Sequence, residues 1–254
     1  MKNILVIGKN SFLSKALNFI NKGNFYSHKD LKKIKFENYD KLVLISMPPK
    51  YFVKKEKNFF FEKKILKKFF NKEIHYISSS KLYPMKIKCS EKIKKLNFKL
   101  PYTYNKYMIE RLVKNHTRKF FIYRLSNVFL KNSYSQNTFF DLLYKNYDRY
   151  KKIDFNISLK SQKDFISINS LKLIFKLMLD NRVEYGLYNI GAEKGLDMRK
   201  VITFFLGKRA FQNAKIIKTG KKIISQTLDI SKITNLLKIN KKNIIKETIK
   251  ELKK

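Results

Sequence analysis

Three side chains in the middle of the sequence have the types and the order needed to move a proton on and off an alcohol oxygen. Ser79 lies in Ile77-Ser78-Ser79-Ser80-Lys81-Leu82-Tyr83-Pro84. Tyr102 and Lys106 lie in Pro101-Tyr102-Thr103-Tyr104-Asn105-Lys106-Tyr107-Met108-Ile109-Glu110. Residues four apart on a helix sit one turn apart on the same face. An ammonium there favours the phenolate and lowers the tyrosine pKa from about 10 toward working pH. Such a tyrosine takes a proton from an alcohol while hydride leaves the carbon, and returns it in the reverse reduction. A serine at a strand end holds the same oxygen by a hydrogen bond. The Tyr-x-x-x-Lys spacing carries little alone in a chain with 15 tyrosines. Tyr104 competes as an aromatic, but Met108 stands four residues on.

The surrounding elements give the spacing its weight. An apolar strand, Glu73 to Ile77, delivers the serines. A loop follows, with Leu96 to Pro101 leading into the Tyr102 helix that runs to about Asn115, then an apolar strand from Phe120 to Leu125. Before these, Asn3 to Ile7 reads as a buried strand that runs through Gly8-Lys9-Asn10-Ser11-Phe12-Leu13-Ser14 into a helix ending near Asn21. Asn24 to Tyr26 and Leu42 to Ile45 read as further strands, the latter ending in Ser46-Met47-Pro48-Pro49, a rigid extended exit. Phe52 to Asn71 reads as one long amphipathic stretch, with phenylalanines on one face and lysines on the other. Downstream, helices are expected over 133–150, 171–179, 198–206, 230–237 and 241–254. Extended segments are expected near 153–159 and 188–191, with Asn169 or Ser170 capping the helix that begins at Leu171.

In this order the chain resembles the extended short-chain dehydrogenase/reductase superfamily, in its NAD-dependent epimerase/dehydratase branch of sugar-nucleotide epimerases and reductases. The matching pieces are Ile4 to Gly8 with Phe12-Leu13, Ser78 to Tyr83, Tyr102 to Glu110, Arg124 to Val128, Lys163 to Ile166 and Tyr188 to Gly191. The resemblance implies an α/β fold: a Rossmann-like doubly wound parallel sheet with a smaller, mostly C-terminal α/β substrate-binding part. Residues 1–160 would form the NAD(P)-binding domain. Residues 161–254 would be mainly substrate-binding, with segments returning to the sheet. It implies an enzyme that uses NAD or NADP on a nucleotide-linked sugar. Tyr102 would be the acid/base, Lys106 its modulator and ribose holder, and Ser79 the group polarising the reacting oxygen. Gly8, Ser11, Phe12, Leu13, Ser46 and Lys106 would meet the cofactor. Ser80 and Asn127 would meet the substrate. The apolar face within 52–71 allows a homodimer.

The sequence also departs from the family pattern. The dinucleotide turn has glycines at three positions, with the pyrophosphate on the helix N-terminus. Here Gly8 is followed by Ser11 and Ser14. The ribose-binding acid expected about 20 residues on is replaced by Ser27, His28 and Lys29, with Asp30 just beyond, so NAD and NADP stay open. Ser80 and Lys81 occupy the places where dehydratases of the family carry an acidic pair, which favours epimerisation or carbonyl reduction over elimination. Leu130 replaces a glycine, and Asn169 replaces the aspartate that closes the Lys163 motif. Asp164 reads as structural.

The chain has 254 residues, 44% of them hydrophobic, and a net charge of +39. Only seven of its 58 basic residues are arginine. Lysine is a solvated point charge, whereas arginine is the better reader of bases and phosphates. The lysine excess, alongside abundant Asn, Ile, Phe and Tyr, matches an AT-rich coding bias, and the field it makes draws anionic substrates. No helix-turn-helix, zinc or RNA-binding signature accompanies it. No apolar run approaches the roughly 20 residues of a membrane span. The single cysteine, Cys89, precludes an intrachain disulfide and fits a reducing cytoplasm. The altered glycine turn keeps open a second reading, a Rossmann-like binding protein without catalysis. Charge alone motivates a third, a nucleic-acid or anionic-membrane binder.

Overall fold

The computed structural model describes residues 3–16, 23–45, 47–129, 139–180 and 183–253. In chain order the elements are β1 (Ile4–Ile7), α1 (Phe12–Ala16), β2 (Gly23–Tyr26), β3 (Lys41–Leu44), α2 (Phe60–Lys68), β4 (Glu73–Ser79), α3 (Pro101–His116), β5 (Phe120–Leu125), β6 (Asn127–Phe129), α4 (Phe139–Tyr150), β7 (Lys152–Phe155), β8 (Gln162–Ser167), α5 (Ile168–Asp180), β9 (Gly186–Ile190), β10 (Gly195–Asp197), α6 (Met198–Leu206), α7 (Lys208–Gln212), β11 (Ile216–Thr219), α8 (Ser231–Leu237) and α9 (Lys241–Lys253). The chain divides into two compact units. The first holds 1–84, 91–125 and 172–190, and the second holds 85–90, 126–171 and 191–254.

In the first unit, six strands pair in the order β2-β1-β3-β4-β5-β9, all parallel. These strands are short apolar runs, as expected where helices cover a parallel sheet. Leu5, Leu42, Leu44, Ile74 and Ile122 pack against Ile65, Leu66 and Phe69 near α2 and against Ile109 and Val113 of α3. β2 and β3 lie on opposite sides of β1, so the strand order reverses there. In doubly wound sheets this reversal opens a ligand crevice at the carboxyl ends of the strands, where the Gly8 turn sits.

Two local expectations are corrected. The 52–71 stretch is not one helix. A 3-10 turn covers Pro49–Phe52, and α2 starts only at Phe60, after Phe59 adopts a left-handed φ of 45°. Buried Asn105 explains the break. Its Nδ2 donates to the carbonyls of Tyr51 and Lys54, and its Oδ1 accepts the Glu56 N–H, each at 2.8 Å, which takes backbone groups a helix would need. Second, α5 begins at Ile168, so Asn169 and Ser170 lie inside it, and Ser167 Oγ accepts the Ser170 N–H at 3.1 Å in the capping role. Cys89, between β4 and α3, is fully buried, its thiol donating to the Lys86 carbonyl at 3.2 Å. The helix expected over 133–150 is seen from Phe139, and 133–138 lie outside the described residues.

In the second unit, β10-β8-β6 and β11-β7 form two small sheets around a core that includes Phe129, Phe140, Ile153, Phe165, Val201 and Phe205. Asp164 ties this unit together. Its buried carboxylate accepts the Ala192 and Leu228 N–H groups at 2.8 and 3.0 Å. Burial pushes its pKa up to about 7 against these hydrogen bonds. Gly191 leaves room for the carboxylate: a Cβ there would lie 2.7 Å from Asp164 Oδ2. Gly191→Ala should therefore cost roughly 2 kcal/mol or more, read as a lower urea midpoint. A wild-type midpoint would contradict this packing.

Candidate active site

One stripe of α3 carries the site. Tyr102, Lys106 and Glu110 fall at i, i+4 and i+8 and face β4 together. The Ser79 hydroxyl neighbours the Tyr102 phenol and favours its ionised form. One turn on, Lys106 Nζ donates to the Ile77 carbonyl at 2.6 Å. Another turn on, Ser78 Oγ donates to Glu110 Oε1 at 2.5 Å. Arg124 of β5 meets the same carboxylate with two bonds, Nε to Oε1 at 2.9 Å and Nη2 to Oε2 at 2.7 Å. Glu110 and Arg124 are 1% and 2% exposed. A bidentate pair is the strong form of this contact. It fixes the rotation of α3 on the sheet and, two turns away, the aim of Tyr102.

The electrostatics differ from a simple ammonium beside a phenol. Burial pushes the Tyr102 phenol above its ordinary pKa, and the neighbouring Ser79 draws it back. Lys106 is 4% exposed. Burial lowers its pKa to about 7, opposed by the carboxylates of Glu110 and Glu62. Its ammonium also stands 5.0 Å from the Tyr76 ring centre. The cation set against the Tyr102 ring is Lys81, with Nζ 5.5 Å from the ring centre. Phe52, 55% exposed, lies 5.2 Å from the same ring at a 30° tilt.

At the end of β1, Gly8 has φ 129°, a backbone that favours glycine. Its N–H and that of Lys9 donate to the Tyr26 carbonyl at 2.8 and 3.1 Å, joining the turn to β2. The two serines that replace glycines are absorbed locally. Ser11 Oγ accepts the Leu13 N–H at 3.2 Å. Ser14 Oγ lies within reach of the Lys9 and Ser11 carbonyls, at 2.8 and 2.6 Å. Phe12 and Leu13 open α1 and are half-buried. Past β2, Asp30 accepts the Ser27 N–H and Oγ at 3.0 and 2.7 Å, and these bonds hold its carboxyl below the usual range. His28 packs edge-on against Phe61.

Of the residues singled out from sequence, Ser79, Tyr102 and Lys106 meet on one end of β4. Ser80 opens the adjoining 3-10 turn Ser80–Leu82 and is buried. Gly8, Ser11, Phe12 and Leu13 form the β1 turn. Ser46 lies outside the described residues. Asn127 belongs to the second unit, where its Nδ2 donates to the Asp164 carbonyl at 2.9 Å. The sequence reading left out Glu110, Arg124 and Asn105. The 102/106/110 spacing was the available signal for Glu110. Arg124 stands in the Arg124 to Val128 piece, which does not reveal its pairing with Glu110, and Asn105 has no local signature, because its partners are distant in sequence.

Residues 58–191, more than half of the chain, match the NAD dependent epimerase/dehydratase family. No curated protein matches the chain by sequence. Among solved structures, the dTDP-glucose 4,6-dehydratase of Bacillus anthracis in complex with NAD is similar with a TM-score of 0.78 at 16% identity, over 99% of this chain and 95% of that one. The UDP-glucose 4-epimerase of Thermotoga maritima with UDP-glucose is similar with a TM-score of 0.76 at 15% identity, over 98% of each chain. RMD from Pseudomonas aeruginosa complexed with NADPH is similar with a TM-score of 0.75 at 14% identity, over 100% of this chain and 97% of that one. With the family match, this shared architecture leads to one assignment: the chain belongs to the NAD dependent epimerase/dehydratase family.

Proposed function

We propose that the protein is an NAD(P)-dependent epimerase or reductase acting on a nucleotide-linked sugar, with Tyr102 as the acid/base, in the making of surface polysaccharide or other glycan precursors. The observation that carries this reading is the placement of Ser79 beside the Tyr102 phenol at the mouth of a parallel sheet, with a buried Lys106 one turn further along the helix. The relatives bound to NAD, NADPH or UDP-glucose support it. The β1 turn fits a dinucleotide. Gly8 keeps its special backbone, and the Ser11 and Ser14 hydroxyls are engaged within the turn. Gly8, Ser11, Phe12 and Leu13 would hold the pyrophosphate, with Asp30 and Lys29 near the ribose. When bound, the nicotinamide supplies a hydride acceptor or donor.

The chain's own residues do the proton work. As the substrate carbon is oxidised, the Tyr102 phenolate accepts the hydroxyl proton. In the reverse sense the phenol returns it to the carbonyl oxygen. Ser79 hydrogen-bonds that same oxygen and orients it. In the second unit, a cleft of about 520 Å³ is lined by Phe139, Phe155, Asn146, Asn156 and Asp154. Aromatic faces suit a nucleobase, amides suit its edges, and a carboxylate suits ribose hydroxyls. No carboxylate stands at 80 or 81, which favours epimerisation or reduction over elimination. α2 leaves Phe60 exposed, a face open to a second copy of the chain.

Tyr102→Phe should abolish turnover of a nucleotide sugar, a loss of at least about 10²-fold, while dinucleotide affinity by calorimetry stays close to wild type. Wild-type-like turnover would sink the assignment. Lys106 carries a separate expectation. Unfolded lysine keeps its proton to about pH 10.4, whereas the folded one loses it near 7. The unfolded chain therefore binds more protons between these values, and stability rises with pH across that window. Lys106→Met should stabilise the fold by roughly 2–4 kcal/mol at pH 6, with the gain fading toward pH 10, and should still lose activity. Equal urea midpoints for both proteins at pH 6 would contradict the buried cost.

A further inference from the structure

Residue 81 touches both partners of the reacting pair. Its backbone N–H donates to Ser79 Oγ at 3.2 Å, so the 3-10 turn that begins at Ser80 sets the serine rotamer. Its side chain leaves the same turn and places Nζ 5.5 Å from the Tyr102 ring centre. The other groups around the phenol are known. Tyr76 and Ser79 come from β4, Lys106 from α3 itself and Phe52 from the loop before α2. Lys106 is the only other cation in this set, and its charge is committed elsewhere. It donates to the Ile77 carbonyl, lies over the Tyr76 ring, and is balanced by the carboxylates of Glu110 and Glu62. Lys81 is exposed and adds a second cation beside the ring.

We propose that Lys81 is a positioning residue for Tyr102, with its backbone orienting Ser79 and its ammonium stabilising the Tyr102 phenolate. The proton released by the phenol goes to solvent or to substrate oxygen, and Lys81 itself neither gains nor loses one. The inference rests on the reading of Tyr102 as acid/base. It also gives a lysine at this position a use that an acidic residue there could not serve, since a carboxylate would repel the phenolate.

The test places 3,5-difluorotyrosine at position 102, which brings the phenol into an accessible pH range, and follows its ionisation by ¹⁹F NMR without cofactor or substrate. A unit charge about 6 Å away at an effective dielectric near 40 shifts a pKa by about one unit. The midpoint should therefore rise by about one pH unit in Lys81→Met and return in Lys81→Arg. In the kcat/KM profile of the unlabelled Lys81→Met enzyme, the limb set by Tyr102 should move the same way: the acid limb in the oxidative direction, where the phenolate is the base, and the basic limb in the reductive direction, where the phenol is the acid. Lys81 is exposed, so its variants keep the fold, and Lys81→Gln serves as a second neutral replacement. Midpoints that coincide in the lysine, methionine and glutamine proteins, or that lie beyond the accessible range in all three, overturn the inference, as does failure of arginine to restore the lysine value. The two readings fail separately. An inactive Tyr102→Phe with an unmoved titration removes only the role of Lys81. An active Tyr102→Phe with a shifted titration removes the acid/base assignment and leaves the electrostatic contact standing.

Discussion

The buried clamp between Glu110, Arg124 and Ser78 is the constraint on which the site depends. A helix lying on a sheet can roll, and a roll of one residue, about 100°, would carry Tyr102 away from Ser79. Apolar packing by Ile109 and Val113 holds α3 down but does not choose its rotation. Three directional bonds to one carboxylate do choose it. Two charges taken out of water this completely gain little net stability, because desolvation offsets their attraction. What they give is geometry. The strand ends supply the other half, since the pairing of Ser78 with Arg124 and of Ser79 with Leu125 places both anchors of the clamp at one level of the sheet.

From this follows a division of labour along α3. Glu110 sets the rotation, Lys106 ties the helix to the β4 backbone, and Tyr102 is left with its oxygen against Ser79. The cost of the arrangement is desolvation. Burial works against ionisation of both Tyr102 and Lys106, so the phenol needs help from outside the helix. Lys81 and Ser79 stand where that help is required. A further buried amide, Asn105, shapes the Pro49–Phe59 loop that brings Phe52 onto the Tyr102 ring.

Much of this was legible in the residues. The apolar runs located the parallel strands, because a strand buried on both faces has little freedom in composition. The spacing of Tyr102 and Lys106 pointed to the candidate site, because helical geometry turns four residues into one turn. The 52–71 stretch was read too long because periodicity alone cannot show that Asn105 captures its backbone. The cap of α5 was displaced by two residues because Ser167 ends a strand and starts a helix at once. The Glu110–Arg124 pair was missed because neither residue carries a local sign of its partner across the β4–β5 edge. The loss of two turn glycines looked more damaging in sequence than in structure, where both serine hydroxyls find bonds inside the turn.

The most direct measurement is a crystal structure of the protein with a dinucleotide and a nucleotide sugar bound. The account predicts one sugar oxygen within hydrogen-bond distance of both the Tyr102 phenol and Ser79 Oγ, with the nicotinamide carbon facing the same sugar carbon. A sugar whose oxygens all lie beyond reach of Tyr102, or a phenol turned away from Ser79 once ligands are bound, would contradict it.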